Sequence, residues 1–277
     1  SLKPILKYSG YVVFGAASSI IIQKVDIVMI GIKENINSVG IYVIAFYIGS
    51  VIEIPKRNIS DISFPILATA FKEKITSLIA DIYKKTSINQ FLIGSFLLII
   101  VWSCLDNLFM LMPDGAVYSQ GKYVVLFIGI AKLFDMLMGV NNQIIQASDF
   151  YRYNLYTNIG LSVMVVVFNL IFIPLYSIEG AAFASMLAVI IYNIISYFVV
   201  WNKLKIQPLT KQTIILFVIT SIVFAIGILL PNVYSPIISI LVKGFLLSLI
   251  FGVAIYFAKV SPQANELIRK SISILKK

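Results

Sequence analysis

Histidine is missing from this chain of 277 residues, and Cys104 is its single cysteine. A Ser-His-Asp hydrolase and a histidine-based zinc site both need histidine, whereas disulfides and cysteine metal clusters need at least two cysteines. We therefore expect no catalytic triad, no metal site, no cofactor and no internal disulfide. The chain is not expected to be an enzyme.

Charged residues are also scarce. They make up 12% of the chain, against ~25% in typical soluble domains, while 60% of the residues are apolar and the mean hydropathy is +0.96. Lys and Arg outnumber Asp and Glu by 22 to 12, which gives a formal charge of +10. Because the basic residues are spread between long apolar runs, we expect them to face anionic membrane lipid and not nucleic acid.

Eight apolar stretches are long enough to cross a bilayer, which takes about 20 residues for each helix. They lie at about 8–32, 38–70, 88–112, 122–146, 152–176, 179–201, 212–231 and 236–259. The sequence thus predicts an all-α integral membrane protein with about eight transmembrane helices. The chain begins with Ser1 and not with methionine, which favours a fragment or a processed chain.

The loops between these stretches differ in charge from one side of the membrane to the other. On the side of the termini they hold 15 Lys and Arg residues, against only Lys33 and Lys122 on the opposite side. The positive-inside rule then places both termini in the cytoplasm. The longest cytoplasmic loop, 71–87, spaces Ile75, Leu78 and Ile79 as an amphipathic helix does, which predicts an anchor on the lipid surface.

Charged side chains cluster within the second predicted span. Glu53, Lys56, Arg57 and Asp61 follow the spacing that puts residues on one face of a helix, and such a face does not suit lipid. Pro55 lies among them and lacks a backbone N–H, so we expect the helix to kink there and to expose a carbonyl.

A similar polar arc of about 100° follows the fourth span when each residue turns the helix by about 100°. The first and fifth spans add Asp26 and Asn158, while Lys24 points away from Asp26. The arc of the fourth span contains Lys132, Asp135, Asn142, Gln143 and Gln146. Charged groups at these depths predict a hydrated path through the helices.

A purely structural interpretation of these charges stays open. Lys56 or Arg57 would then neutralise Glu53, and Lys132 would neutralise Asp135, at the i+3 or i+4 spacing at which neighbours on one helix meet.

The order of several short motifs resembles the polysaccharide flippases of the multidrug/oligosaccharidyl-lipid/polysaccharide exporter superfamily. Residues 1–201 contain the whole series. Its members are Asp26–Gly31, Ser38–Tyr42, Ile54–Arg57, Phe64–Ile66, Asn169–Pro174 and Glu179–Ser185.

This resemblance implies a transporter of about fourteen helices in two six-helix lobes followed by two more helices. Residues 1–201 would be the C-terminal lobe, residues 202–277 the two additional helices and a cytoplasmic tail, and the N-terminal lobe would be missing. Similar proteins move undecaprenyl-diphosphate-linked oligosaccharides from the inner to the outer leaflet of the bacterial cytoplasmic membrane by alternating access. Expected partners are the lipid-linked oligosaccharide, membrane lipid, and the glycan polymerase and glycosyltransferases of O-antigen or capsule synthesis.

The same resemblance suggests roles for the polar residues of the spans. Arg57 and Lys56 are the first candidates to hold a diphosphate, because Arg has a fork geometry suited to phosphate oxygens. Lys24 and Lys132 would assist them. The candidates for hydrogen bonds to sugar hydroxyls are Asn142, Gln143, Gln146 and Asn158, and the coupling or cavity carboxylates are Asp26, Glu53, Asp61 and Asp135.

Three other functions compete with this interpretation. A multidrug antiporter would exchange protons or sodium for an organic cation at buried carboxylates such as Asp26 and Glu53. A membrane-embedded glycosyl- or phosphotransferase normally needs an acidic motif and a metal at the membrane edge, and the loops contain no such acidic pair. A structural membrane subunit would need none of the charges for transport.

Overall fold

The computed structural model describes residues 24–232 and 235–266, and every regular element in these two ranges is helical. Residues 262–266 are also helical. The helices are α1 over residues 24–33, α2 (Ile36–Ser50), α3 (Ile54–Lys72), α4 (Thr76–Leu111), α5 (Gly115–Tyr118), α6 (Lys122–Leu137), α7 (Asn141–Ala147), α8 (Arg152–Leu204), α9 (Lys211–Leu229) and α10 (Pro236–Ala258), with 3₁₀ turns at Val51–Glu53 and Ser119–Gly121.

The second and fourth predicted spans are interrupted helices. A 3₁₀ turn separates α2 from α3 immediately before Pro55, which lies in the first turn of α3. The expected kink is replaced by this 3₁₀ turn, which puts Pro55 in the first turn of a helix, where its missing N–H costs no hydrogen bond. Between α6 and α7 the axis bends by 52°, and Gly139 takes a left-handed conformation with φ of 57° in this break.

Helix α8 is a helical hairpin and not a straight rod. Ser177 interrupts its 53 residues with φ of 52° and ψ of −131°. Leu161 and Val165 from the first arm pack with Ala188 and Tyr192 from the second, so residues equally far from Ser177 meet. The arms, 152–176 and 178–204, closely match the fifth and sixth predicted spans.

Small side chains permit this close approach of the two arms. Ala181, Ala182 and Ala184 are fully buried near the start of the second arm. A Cβ atom at Gly180 would collide with the carbonyl oxygen of Phe172 in the first arm. The close packing that small residues allow between transmembrane helices is therefore present here.

Two apolar clusters mark the two ends of the helix bundle. At the end where α8 folds back, called the Ser177 end, Tyr42 and Leu105 pack with Val124 and Ile173. At the opposite end, called the Lys72 end, the buried cluster joins α3, α4, α7 and the end of α8.

The predicted surface anchor in loop 71–87 is wrong. Helix α4 begins at Thr76 and continues without a break to Leu111, so most of this segment extends the third span. Ile79 and Tyr83 are buried against Leu67 and Ile144 at the Lys72 end. The apolar face of this segment is divided, because Ile79 packs against protein whereas Ile75 and Leu78 are 38% and 37% exposed.

Helices α9 and α10 pack on α4 through Leu216, Val223 and Leu247. Their other faces expose large apolar side chains such as Phe245 and Phe257. This peripheral position agrees with the scarcity of polar residues in the last two predicted spans. Lys243 of α10 is buried and donates a hydrogen bond of 2.8 Å to Asn232 Oδ1.

In the described ranges, five helices are long and apolar enough to cross a membrane, or six if the bent α6–α7 pair forms one span. With apolar side chains exposed on their outer faces, this is the architecture of a membrane protein. The count of eight is not confirmed, and residues 8–23 of the first predicted span lie outside the described residues. The domain boundary after residue 201 and the cytoplasmic position of the termini stay predictions.

Candidate functional site

A polar cavity of about 450 Å³ lies between α3, α6, α7 and the two arms of α8. It brings together nine of the predicted site residues, which are Glu53, Lys56, Arg57, Asp61, Lys132, Asp135, Asn142, Gln143 and Asn158. Because Asn158 follows the start of α8 by only six residues, the cavity lies in the half of the bundle toward the Lys72 end.

Two ion pairs cross the cavity wall from helix to helix. Lys56 Nζ on α3 lies 2.5 Å from Asp135 Oδ2 on α6, and Lys132 on α6 contacts Glu53 at the start of α3. The predicted pairing of Lys132 with Asp135 along one helix is therefore wrong. These two ion pairs hold α3 against α6, because each helix contributes one cation and one anion.

Arg57 is the most accessible cation of the cavity. Its side chain is 65% exposed, and its Nε lies 3.8 Å from Glu53 Oε1, a loose pair in the i to i+4 arrangement that the sequence indicated. Lys132 already contacts the other oxygen of Glu53. The guanidinium fork of Arg57 is consequently open to an anion.

Amide side chains form the remaining polar wall. Asn142 Oδ1 and Gln143 Oε1 are buried and have no hydrogen-bond partner among the described residues, and the same is true of the Ser60 hydroxyl. Asn158 donates a hydrogen bond of 3.1 Å to Asn154 Oδ1. Such unfilled acceptors suit a ligand that carries hydroxyl donors.

The second arm of α8 contributes residues that the sequence interpretation missed. Val189, Tyr192 and Asn193 line the polar cavity, although none of them is among the predicted site residues. Asn193 accepts a hydrogen bond of 3.2 Å from Asn141 Nδ2. The signal was the pair of polar residues at 192 and 193 within an otherwise apolar segment.

A second cavity of about 360 Å³, called the side cavity, shares Glu53, Arg57 and Lys132 with the polar cavity. Lys24 lines this side cavity and is absent from the polar one. The rest of its lining is largely apolar and contains Ile27, Phe46, Tyr47, Val51 and Ile54. Three cations against one carboxylate leave this cavity with a formal charge of +2.

Asp26 is separate from both cavities, contrary to its expected place among the cavity carboxylates. It is buried and accepts hydrogen bonds of 2.6 Å from Tyr42, Asn169 and Ser185. These donors come from α2 and from both arms of α8. No cation pairs with Asp26 among the described residues, so neutral donors alone hold its carboxylate.

Gln146 is another predicted site residue that the cavity does not include. It is exposed on α7 and does not line the polar cavity. The 52° bend between α6 and α7 breaks the single helical arc on which the grouping of Gln146 with Lys132 depended.

Within residues 24–232 and 235–266, no group of three or more Cys, Asp or Glu side chains is placed to hold a metal ion. No model of a known protein family matches the chain, and no curated protein matches it either.

Proposed function

We propose that this chain belongs to a flippase that moves a polyprenyl-diphosphate-linked oligosaccharide from the inner to the outer leaflet of the bacterial cytoplasmic membrane. The observation that carries the proposal is the pair of cavities that share Glu53, Arg57 and Lys132 but differ in chemistry. One is formally neutral and rich in amides, and the other is positive with an apolar wall.

The side cavity suits the diphosphate and the first part of the lipid tail. Its net charge of +2 comes from Lys24, Arg57 and Lys132 against Glu53. Since Lys132 contacts Glu53, Lys24 and Arg57 are the cations left to bind phosphate oxygens. The apolar wall that includes Phe46 and Ile54 provides a surface for isoprenoid carbons.

The polar cavity suits the oligosaccharide. Its three cations and three carboxylates balance, so charge favours neither an anion nor a cation there. The acceptor oxygens of Asn142 and Gln143 match sugar hydroxyl donors. A head group inside the protein and a tail in lipid would avoid moving hydroxyls through hydrocarbon.

Asp26 is the coupling carboxylate in this proposal. Its three partners, Tyr42, Asn169 and Ser185, are neutral donors that connect α1, α2 and both arms of α8. Uptake of a proton or a monovalent cation at Asp26 would neutralise its charge, which would change the contacts between these helices. Such coupling would drive alternating access between two lobes.

The test is complementation of a strain that lacks the full-length gene, with accumulation of lipid-linked oligosaccharide as the readout. Arg57→Ala is expected to lower export by about tenfold, since a charge-assisted hydrogen bond contributes about 1.5–3 kcal/mol. Lys84→Ala removes an exposed cation of α4 and serves as the matched control with normal export. A normal glycan profile in the deletion strain itself contradicts the proposal.

The second candidate is an organic-cation antiporter coupled to protons or sodium. The Asp26 carboxylate, which has no cation partner among the described residues, favours it as much as the flippase. The two candidates differ in the role of Arg57. In a flippase, Arg57→Ala lowers glycan export by about tenfold and leaves drug resistance unchanged. In an antiporter, Asp26→Asn abolishes drug resistance while glycan export continues.

A further inference from the structure

A third cavity, called the aromatic cavity, lies at the Ser177 end and has a volume of about 440 Å³. Five aromatic side chains and one carboxylate line it, namely Tyr123, Phe127, Phe172, Tyr176, Phe183 and Glu179. The polar cavity contains none of these residues, so the site is distinct from the proposed transport site.

The polar cavity and the aromatic cavity lie along the same interface, between α6 and the two arms of α8. The polar cavity uses Lys132 and Leu161, whereas the aromatic cavity uses Phe127 and Phe172 farther along the same two helices. The 11 residues from Leu161 to Phe172 correspond to about 16 Å of helix. The two cavities thus lie toward opposite ends of the interface between α6 and α8.

Ring contacts give the aromatic cavity a fixed wall. Phe183 packs edge-on against Phe127 with ring centroids 5.5 Å apart, and against Phe172 with centroids 5.1 Å apart. The two tyrosines are more open, since Tyr123 is 52% exposed and Tyr176 is 61% exposed. A ligand therefore has access past the tyrosines to a rigid floor of phenylalanines.

Glu179 provides the charge of this site. Its side chain is half-buried, and its carboxylate has no ion pair or hydrogen bond within the described ranges. The basic residue next to Tyr123, Lys122, contacts Asp106 at 2.8 Å and lies 5.3 Å from the centre of the Trp102 ring. Because Glu179 has no cation partner among the described residues, the cation of a bound ligand can serve as its counter-charge.

Aromatic faces and one unpaired carboxylate together favour an organic ammonium ligand. A ring attracts a cation through its negative face, and the attraction grows when the cation loses water. A saccharide would need several amide or hydroxyl partners, whereas the only polar groups that line this cavity are the two tyrosine hydroxyls and the Glu179 carboxylate. A lipid chain would gain nothing from Glu179.

We propose that the aromatic cavity is a binding site for an organic monocation, with the ammonium group against the aromatic rings and paired with Glu179. The ligand is either a free organic cation or the ammonium head of a zwitterionic lipid in the adjacent leaflet. The inference does not depend on the flippase proposal, because none of its residues lines the polar or side cavity.

The probe is benzyltrimethylammonium, titrated calorimetrically into the full-length protein in phosphatidylglycerol nanodiscs. Its uncharged carbon analogue, neopentylbenzene, is expected to bind at least about tenfold more weakly, as tenfold corresponds to about 1.4 kcal/mol. Glu179→Gln is expected to weaken the cation by a similar factor, and Tyr176→Leu by about threefold. Asp114→Asn, which removes an exposed carboxylate at the same end that does not line the cavity, leaves the affinity unchanged.

Two nanodiscs with the same fraction of phosphatidylglycerol, and hence the same surface charge, distinguish the two sources when the second lipid is either phosphatidylethanolamine or a neutral glycolipid. A weaker apparent affinity for the probe with phosphatidylethanolamine indicates that the lipid ammonium group competes for the site, whereas an equal affinity indicates a site for free cations. Equal binding of the cation by wild type and Glu179→Gln, in protein that melts at the same temperature, would overturn the proposal. Equal binding of neopentylbenzene and the cation would also overturn it.

Discussion

Lys56 Nζ lies 2.5 Å from Asp135 Oδ2 and connects two helices whose paired residues are 79 positions apart in the chain. Lys56 Nζ also donates a hydrogen bond of 3.3 Å to the backbone carbonyl oxygen of Asp135 on α6. Together with the contact of Lys132 and Glu53, this pair sets how α3 and α6 face each other across the polar cavity.

Removing one partner of this pair should cost more stability than removing both. Lys56→Ala leaves Asp135 without its cation, and we expect a loss of about 2 kcal/mol, between the values for exposed and fully buried pairs. The double variant Lys56→Ala with Asp135→Asn should recover more than half of this loss. Thermal unfolding of the detergent-solubilised full-length protein measures both, and a double variant less stable than Lys56→Ala contradicts the pairing.

The buried face of α4 near its start should be important for stability. Ile79 is 2% exposed, whereas the adjacent Leu78 is 37% exposed. We expect Ile79→Ala to destabilise the protein by about 2–4 kcal/mol, as core truncations do, and Leu78→Ala by less than about 1 kcal/mol. Equal melting temperatures of the two variants would restore the lipid-anchor interpretation of this segment.

Asp26 offers a test that separates hydrogen bonding from charge. Asp26→Ala leaves the Tyr42, Asn169 and Ser185 donors without their acceptor, and we expect a loss of stability of at least about 2 kcal/mol. Asp26→Asn retains one acceptor oxygen and should fold with a smaller loss. If Asp26 has the coupling role, Asp26→Asn still loses cation-driven export, measured in vesicles with and without an imposed gradient.

Gly139 is required by the break between α6 and α7. Its φ of 57° is strained for other residues, and a Cβ atom there would lie 2.9 Å from the backbone nitrogen of Ser87. We expect Gly139→Ala to destabilise the protein by about 1–3 kcal/mol. Gly160→Ala is the matched control, because a Cβ at Gly160 meets nothing within 4 Å, and its helical position should make alanine neutral or stabilising.

Local features of the structure were accessible from the sequence because they depend on nearby residues. Pro55 predicts its own helix disturbance through the missing N–H, and the small residues from Gly180 to Ser185 predict close packing. The polar stripe of Glu53, Lys56, Arg57 and Asp61 lines the polar cavity because residues at these spacings share a helical face. Long apolar runs likewise determine where the helices lie.

Interactions between distant helices could not be obtained in this way. Sequence spacing favoured Lys132 with Asp135, but the fold offers each residue a partner on another helix at shorter range. Gln146 left the polar group because a bend at Gly139 changed the direction of its helix. Asp26 lies outside both cavities because the two arms of α8 bring Asn169 and Ser185 to the same carboxylate.

The amino-acid sequence by itself determined that this is a helical membrane protein with charged and amide residues concentrated on particular helix faces, since hydropathy and helical periodicity are local properties. Only the tertiary structure decided which opposite charges pair, which carboxylate is enclosed by neutral donors, and that five aromatic side chains surround a cavity with Glu179. Those outcomes depend on the packing angles and the order of helices in space, which bring together distant side chains such as Asp26 and Ser185, 159 positions apart in the chain.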